Sequence, residues 1–182
     1  MRKYFLKSAA VVFFSIAGLT ACQPSLNWRG VQLEGTNLKI ELPCKPDKTT
    51  KSVKMAGHDM NLSMVGCEAN DAVWAVMTAQ VMATADRVEI LKGWRLATLQ
   101  NMRASQPEDL QWSPSRVNAL PGALRMKAVG TSANGQPVLA QAVWFSHLEG
   151  ESVRLVHAVV YHKLGPKKDQ SAEQFIESLK LP

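Results

Sequence analysis

The side chains of this sequence with most chemistry to offer are three cysteines, Cys22, Cys44 and Cys67, and four histidines, His58, His147, His157 and His162. A thiol can be acylated, oxidised to a disulfide, or used as a nucleophile once its pKa is lowered by its surroundings. Neither Cys44 nor Cys67 lies in a Cys-x-x-Cys pair or beside a histidine, which argues against catalysis by either. His157 and His162 are five apart on one expected strand, so they point to opposite faces and cannot chelate one ion together. A two-histidine site joining His147 across the adjacent hairpin is the remaining metal geometry; core or surface roles account for the histidines more simply. The chain contains no Gly-x-Ser-x-Gly elbow, P-loop, His-Glu-x-x-His or dinucleotide fingerprint. Asp86, Glu89, Glu108 and Asp109 fall at the ends of an expected helix, where capping and solvation explain them. The expectation is a non-enzymatic protein with no catalytic residues, no metal and no cofactor.

Cys22 stands apart from the other two cysteines. Arg2, Lys3 and Lys7 make a positive start, and Ala9 to Ala21 is an uncharged stretch carrying Val11, Val12, Phe13, Phe14 and Ile16. That three-part pattern is a secretory signal. Its apolar run is well short of the roughly 20 residues that span a bilayer as a helix. The run ends in Leu19-Thr20-Ala21-Cys22, which resembles the lipobox of bacterial lipoproteins. The resemblance implies cleavage before Cys22, transfer of a diacylglyceryl group to its thiol, and acylation of the freed amine. Two or more chains give stable anchoring, because each buried methylene contributes about 0.8 kcal/mol and one chain holds only marginally. Gln23 is not the aspartate that resembles an inner-membrane retention mark, which favours an outer-membrane address facing the periplasm.

Removal of residues 1–21 leaves 161 residues, enough for one domain with its own core. The formal charge of +6 falls to +3, since the leader carries three basic residues and no acidic one. The mature chain has no basic block interleaved with aromatics of the kind that binds single-stranded nucleic acid, so no nucleic-acid partner is expected. Lys163, Lys167 and Lys168 read as a solvated loop around Gly165-Pro166; the alternative is a lipid-headgroup site, which usually takes about 4–8 clustered basic residues. An exported chain with two remaining cysteines points to a Cys44–Cys67 disulfide; two buried free thiols are the alternative.

These residues must be positioned by a framework that is mainly strand. Residues 22–36 read as a lipidated tether, with Trp28 either docking back on the domain or sitting at the membrane interface, and residues 37–182 as one domain. Leu38, Ile40 and Leu42 alternate with polar residues, as do Met60, Leu62 and Met64, and both runs predict half-buried strands. If these two strands run parallel as neighbours, Cys44 and Cys67 share one sheet edge. Thr49–Met55 and Val73–Val81 complete the first group of strands. The period then changes: Val88, Leu91, Trp94 or Arg95, Leu99 and Met102 predict an amphipathic helix over Asp86–Ala104, with Asp86 and Glu89 as a capping pair. Leu110–Ser113 and Arg116–Leu120 are short strand candidates. Asn134-Gly135 between Ala123–Thr131 and Val138–Phe145 is a hairpin signal, and Val153–His162 follows the Glu149-Gly150 turn. Ser171 and Gln174 predict a capping box for a last helix over Ala172–Leu179 with Ala172, Phe175, Ile176 and Leu179 inward. Met60, Met64 and Met77 are expected in the core, Trp94 on the apolar face of the helix, and Trp144 either in the core or at a pocket rim. The order predicts an α+β fold, a mainly antiparallel sheet with one long helix and a C-terminal helix packed on it.

Three segments carry a resemblance to a known family. Leu38-Lys39-Ile40-Glu41-Leu42-Pro43-Cys44-Lys45-Pro46 resembles an opening strand followed by Pro-x-Lys-Pro. Asn118-Ala119-Leu120-Pro121-Gly122 resembles a small turn before late hairpins, and Phe175-Ile176-Glu177-Ser178-Leu179-Lys180-Leu181 a closing helix. In this order and spacing they are similar to the PsbP-like α/β sandwich of exported bacterial lipoproteins, including the DcrB type; the cysteine at 44 departs from the glycine common there. The resemblance implies a non-enzymatic envelope or assembly-accessory module and supplies no catalytic residue; anchoring without chemistry points to a module that docks an envelope protein by its sheet or hairpin edge. The alternative is a carrier of a small apolar ligand, held between sheet and helix by residues such as Met64, Met77 and Trp94.

Overall fold

The computed structural model describes residues 26–55, 57–165 and 170–181. The expected leader, Cys22, and Lys167 and Lys168 lie outside them. Nine strands and two helices follow in the order β1 Arg29–Gln32, β2 Lys39–Leu42, β3 Asp47–Met55, β4 His58–Ala69, β5 Ala72–Met82, α1 Arg87–Asn101, β6 Ser105–Asp109, β7 Leu124–Thr131, β8 Pro137–Glu149, β9 Ser152–Lys163 and α2 Ser171–Glu177. Seven strands form one sheet in the order β3-β4-β5-β9-β8-β7-β6, and β1 and β2 form a separate pair. Every pairing among these strands is antiparallel. The fold is α+β, as the element order predicts.

The large sheet is covered on both faces, which is why its central strands are apolar at nearly every position rather than at alternate ones. Register assigns the faces. Ala75, Ala79, Leu155, Val159, Ala142 and Trp144 point to one side, where Ile90, Leu91 and Trp94 of α1 pack on them. Trp74, Val76, Val156, Ala158, Val143 and Phe145 point to the other. There Leu38, Ile40 and Leu42 of the small sheet and Ala172, Phe175, Ile176 and Leu179 around α2 form the opposing layer. The apolar stripe expected of the last helix is therefore the face it buries.

Local signals explain several of the ends. Asp86 caps α1 as expected, its Oδ1 accepting from the Glu89 amide at 3.1 Å. The Asn134-Gly135 turn joins β7 to β8, with Gly135 at φ +82°, a conformation that glycine adopts without steric cost. Other expectations need correction. The Thr49–Met55 strand begins earlier, at Asp47. The long helix stops at Asn101 rather than Ala104, because Arg103 takes a left-handed conformation at φ +47°. Segments 110–113 and 116–120 are not strands; the strand in this region is β6, where Pro107 is tolerated because the strand lies at a sheet edge. Gln170, not Ser171, is the N-cap of α2, and Ser171 already lies within the helix, so the Ser171–Gln174 capping box is out of register. Of the two places open to Trp144, the core is the one it takes: it lies within β8 and is fully buried.

The tether reading of residues 22–36 is corrected for its described part. Residues 29–32 form β1, paired with β2 from Arg29↔Leu42 to Gln32↔Lys39. The Asn27 amide donates to the Pro43 carbonyl at 2.7 Å. Trp28 docks back on the domain, its ring edge-to-face with Trp74 at 5.6 Å. The parallel pairing proposed for the first and third strands does not occur either, since β2 belongs to the small sheet and β4 to the large one.

Candidate functional site

Cys44 and Cys67 form a disulfide, with Cα atoms 5.9 Å apart. The bond runs between layers, not along a sheet edge. Cys44 follows the end of β2 in the small sheet, and Cys67 lies on β4 opposite Trp74. It fastens the N-terminal layer to the large sheet at a sequence separation of 23 residues. Replacing both cysteines by serine is expected to lower stability by about 3 kcal/mol, the cost of restoring the loop's freedom in the unfolded chain. Urea denaturation without reductant measures it, and a loss below about 1 kcal/mol would show that the layers hold together without the bond.

The histidines are not brought together. His58 is exposed at the start of β4. His157 lies on the α1 face and His147 on the small-sheet face, so the hairpin separates the two rings instead of joining them. His162 packs edge-to-face with Trp74 at 5.5 Å, on the side opposite His157 as the strand period requires. Among the described residues no group of three His, Cys, Asp or Glu could hold a metal ion. His157 stacks on Trp144 at 4.4 Å and meets the edge of Trp94 at 5.2 Å. Its two ring nitrogens are buried with no hydrogen-bond partner. Burial alone pushes its pKa down to about 3, so the ring is neutral in the native protein. Burial also lowers His147, partly offset by its contact with the Leu148 carbonyl, and raises Tyr161.

Trp94 is thereby filled in against the sheet instead of lining a ligand space with Met64 and Met77. Of the expected core methionines, Met60 is buried, and Met64 and Met77 are half-buried. Met64 instead reaches an open depression that α1 leaves uncovered. Asp47, Thr49, Met64, Gly66, Val73 and Ala75 share that face by register. The depression holds about 500 Å³, with Lys45 at its rim and Val73 40% exposed on its floor. Gly66, on that face, marks a close backbone approach of the neighbouring strand β5. A Cβ there would lie 2.5 Å from the Trp74 carbonyl oxygen.

A second depression, of about 250 Å³, lies on the opposite face of the same edge. Thr50, Ser63, Val65 and Thr78 line it together with Leu33 and Glu34 from the turn after β1. Lys48 bonds Glu34 across it, and this contact holds the Glu34 carboxyl below the usual carboxylate range. Between the two depressions runs β3, the terminal strand of the large sheet, which pairs with β4 alone among the described strands. Its far side therefore carries backbone N–H and C=O groups without a strand partner. Along it Lys48, Lys51 and Lys54 outnumber Asp47. An edge of nine residues, hollows on both faces and an excess of cations can accept an extended chain. Main-chain bonds would supply affinity, and alternate side chains would enter the two hollows.

Three further ion pairs hold elements together. Arg125 bonds both carboxylate oxygens of Glu173 at 2.5 Å, tying β7 to α2. Arg95 of α1 bonds Asp109 of β6 at 2.6 Å, which places Asp109 on a strand and not at a helix end. Arg154 bonds Glu149 at 2.5 Å and the Gly35 carbonyl at 3.0 Å, closing the β8–β9 turn against the small sheet. No described helix is long and apolar enough to cross a membrane. No protein-family model matches the chain, and no curated protein matches it at a significant level.

Proposed function

We propose that this chain is a lipid-anchored envelope protein whose β3 edge docks an extended, acidic segment of a protein partner. The observation that carries the docking reading is the edge itself: nine residues, paired on one side only among the described strands, with a hollow on each face and three lysines along it. The lysines also discourage pairing with a second copy, because two such edges would bring like charges together. The anchoring half rests on Leu19-Thr20-Ala21-Cys22 and the leader before it. In this reading the protein is made as a precursor, cleaved before Cys22, acylated there and held at the outer membrane facing the periplasm. The three-layer α+β arrangement, with its opening Leu38–Pro46 segment and closing Phe175–Leu181 segment, is consistent with a PsbP-like domain of the DcrB type. The role assigned to it is docking and not catalysis.

A photoreactive residue at Thr49, beside the hollow, compared with one at Leu96 on the outer side of α1, tests the docking reading in intact cells. Thr49 is expected to give a repeated cross-link to an envelope protein through an acidic stretch, and Leu96 is not. Combining the probe with Lys51→Glu and Lys54→Glu is expected to remove that cross-link while leaving the fold intact, since both lysines are exposed. Added salt should weaken it as well. Identical products at Thr49 and Leu96, or a cross-link indifferent to charge reversal, would contradict the proposal.

A further inference from the structure

We infer that the end of the large sheet carrying Lys45, the β4–β5 turn and Lys163 is held against the phospholipid headgroups of the anchoring bilayer, with the sheet standing away from it. The inference rests on the lipoprotein reading and deepens it. Leu26 packs on the core between the small and large sheets, and the amide of Asn27 is bonded to the Pro43 carbonyl. Only three residues, Gln23, Pro24 and Ser25, separate Cys22 from Leu26. Four peptide units reach at most about 14 Å. An acylated Cys22 sits at the headgroup level, so Leu26 cannot lie much farther than that from the bilayer surface.

The fold defines which end Leu26 occupies. Beside it are Pro43 and the Cys44–Cys67 bond, and Trp28 lies on Trp74. From there the surface continues to the Asn70-Asp71 turn, where the Lys163 amide bonds the Asp71 carbonyl. Lys163 and its exposed neighbour Leu164 end β9 on this side. The opposite end holds Gly35, the Glu149–Ser152 turn and Met82. β9 spans the distance between them in twelve residues, about 40 Å at the usual rise of a strand. A short tether fixed to one end of such a sheet makes the two ends inequivalent with respect to the membrane. A free tether extending to residue 36 would have left them equivalent. The β3 edge then stands along the membrane normal, displayed to the periplasm.

The two ends of β9 allow a direct test. The mature acylated protein is reconstituted in vesicles of phosphatidylethanolamine and phosphatidylglycerol that carry an energy-transfer acceptor on the headgroup. A donor fluorophore is placed at Lys163 or at Glu151, both exposed. Transfer is expected to be several-fold greater from Lys163 than from Glu151. Inserting a long Gly-Ser segment between Ser25 and Leu26 is expected to abolish the difference. Equal transfer from the two positions in acylated protein that floats with the vesicles would overturn the orientation alone. Protein that carries no acyl chain and fails to float would overturn the lipoprotein reading on which it rests.

Discussion

Lowering the pH from 6.5 towards 3 destabilises the native protein through His157 by as much as about 1.4 kcal/mol for each pH unit. The direction follows from its folded-state pKa, which lies below the unfolded value. The unfolded chain takes up a proton as the pH falls below 6.5, and the buried ring does not. Stability is therefore full above 6.5 and declines until the pH reaches the folded pKa. The cause is geometric. The ring is held between Trp144 and Trp94 with no hydrogen-bond partner for either nitrogen, so a charge there has nothing to replace its hydration. His157→Phe keeps a flat ring in the stack and removes the titrating group. The variant is expected to lose most of this slope and to gain stability relative to wild type as the pH is lowered. Urea denaturation of both proteins at neutral and mildly acidic pH isolates the effect, since His147, also lowered by burial, is common to the two. A variant that loses stability with acid as steeply as wild type would show that His157 is not the residue responsible.

Trp74→Ala is expected to cost about 4 kcal/mol, the range for truncating a large buried aromatic. Trp74 is fully buried where the layers meet. It makes edge-to-face contacts with Trp28 at 5.6 Å, His162 at 5.5 Å and Phe175 at 5.5 Å, and its Nε1 donates to the Ala69 carbonyl at 3.3 Å. Removing it withdraws support from the N-terminal segment, from β9 and from α2 at once. Amide exchange across residues 27–32 and 171–179 should therefore accelerate together in the variant, while the α1 face keeps its protection. Trp74→Phe should recover part of the loss. A change below about 1 kcal/mol would mean that the small sheet and α2 do not depend on this ring.

The parts of the fold legible in the sequence are those with a strong local period. β2 shows alternation, α1 shows a three-to-four spacing with its aspartate cap, and the β7–β8 hairpin shows Asn-Gly. β1 and β6 carry no such signal. Their sequences, Arg-Gly-Val-Gln and Ser-Gln-Pro-Glu-Asp, are largely or wholly exposed, and they are strands because a partner strand holds them. The layering was hidden for a related reason. Leu38, Ile40 and Leu42 announce a buried face, but not that it is buried against the face of another sheet instead of beside β4. The cysteine pairing could be inferred from counting, whereas its role as a link between layers could not. At the candidate site Lys48, Lys51 and Lys54 were visible, but their position on an unpartnered edge depends on the strand order.

The proposed anchoring through Cys22 underlies both the proposed address and the inferred orientation of the sheet. Intact-mass measurement of the protein purified from membranes, with fragment ions covering its first residues, tests it most directly. The expected result is a chain that begins at Cys22 and carries the added mass of a diacylglyceryl group with or without a further acyl chain. A chain that retains residues 1–21, or that begins elsewhere with an unmodified Cys22, would contradict the account.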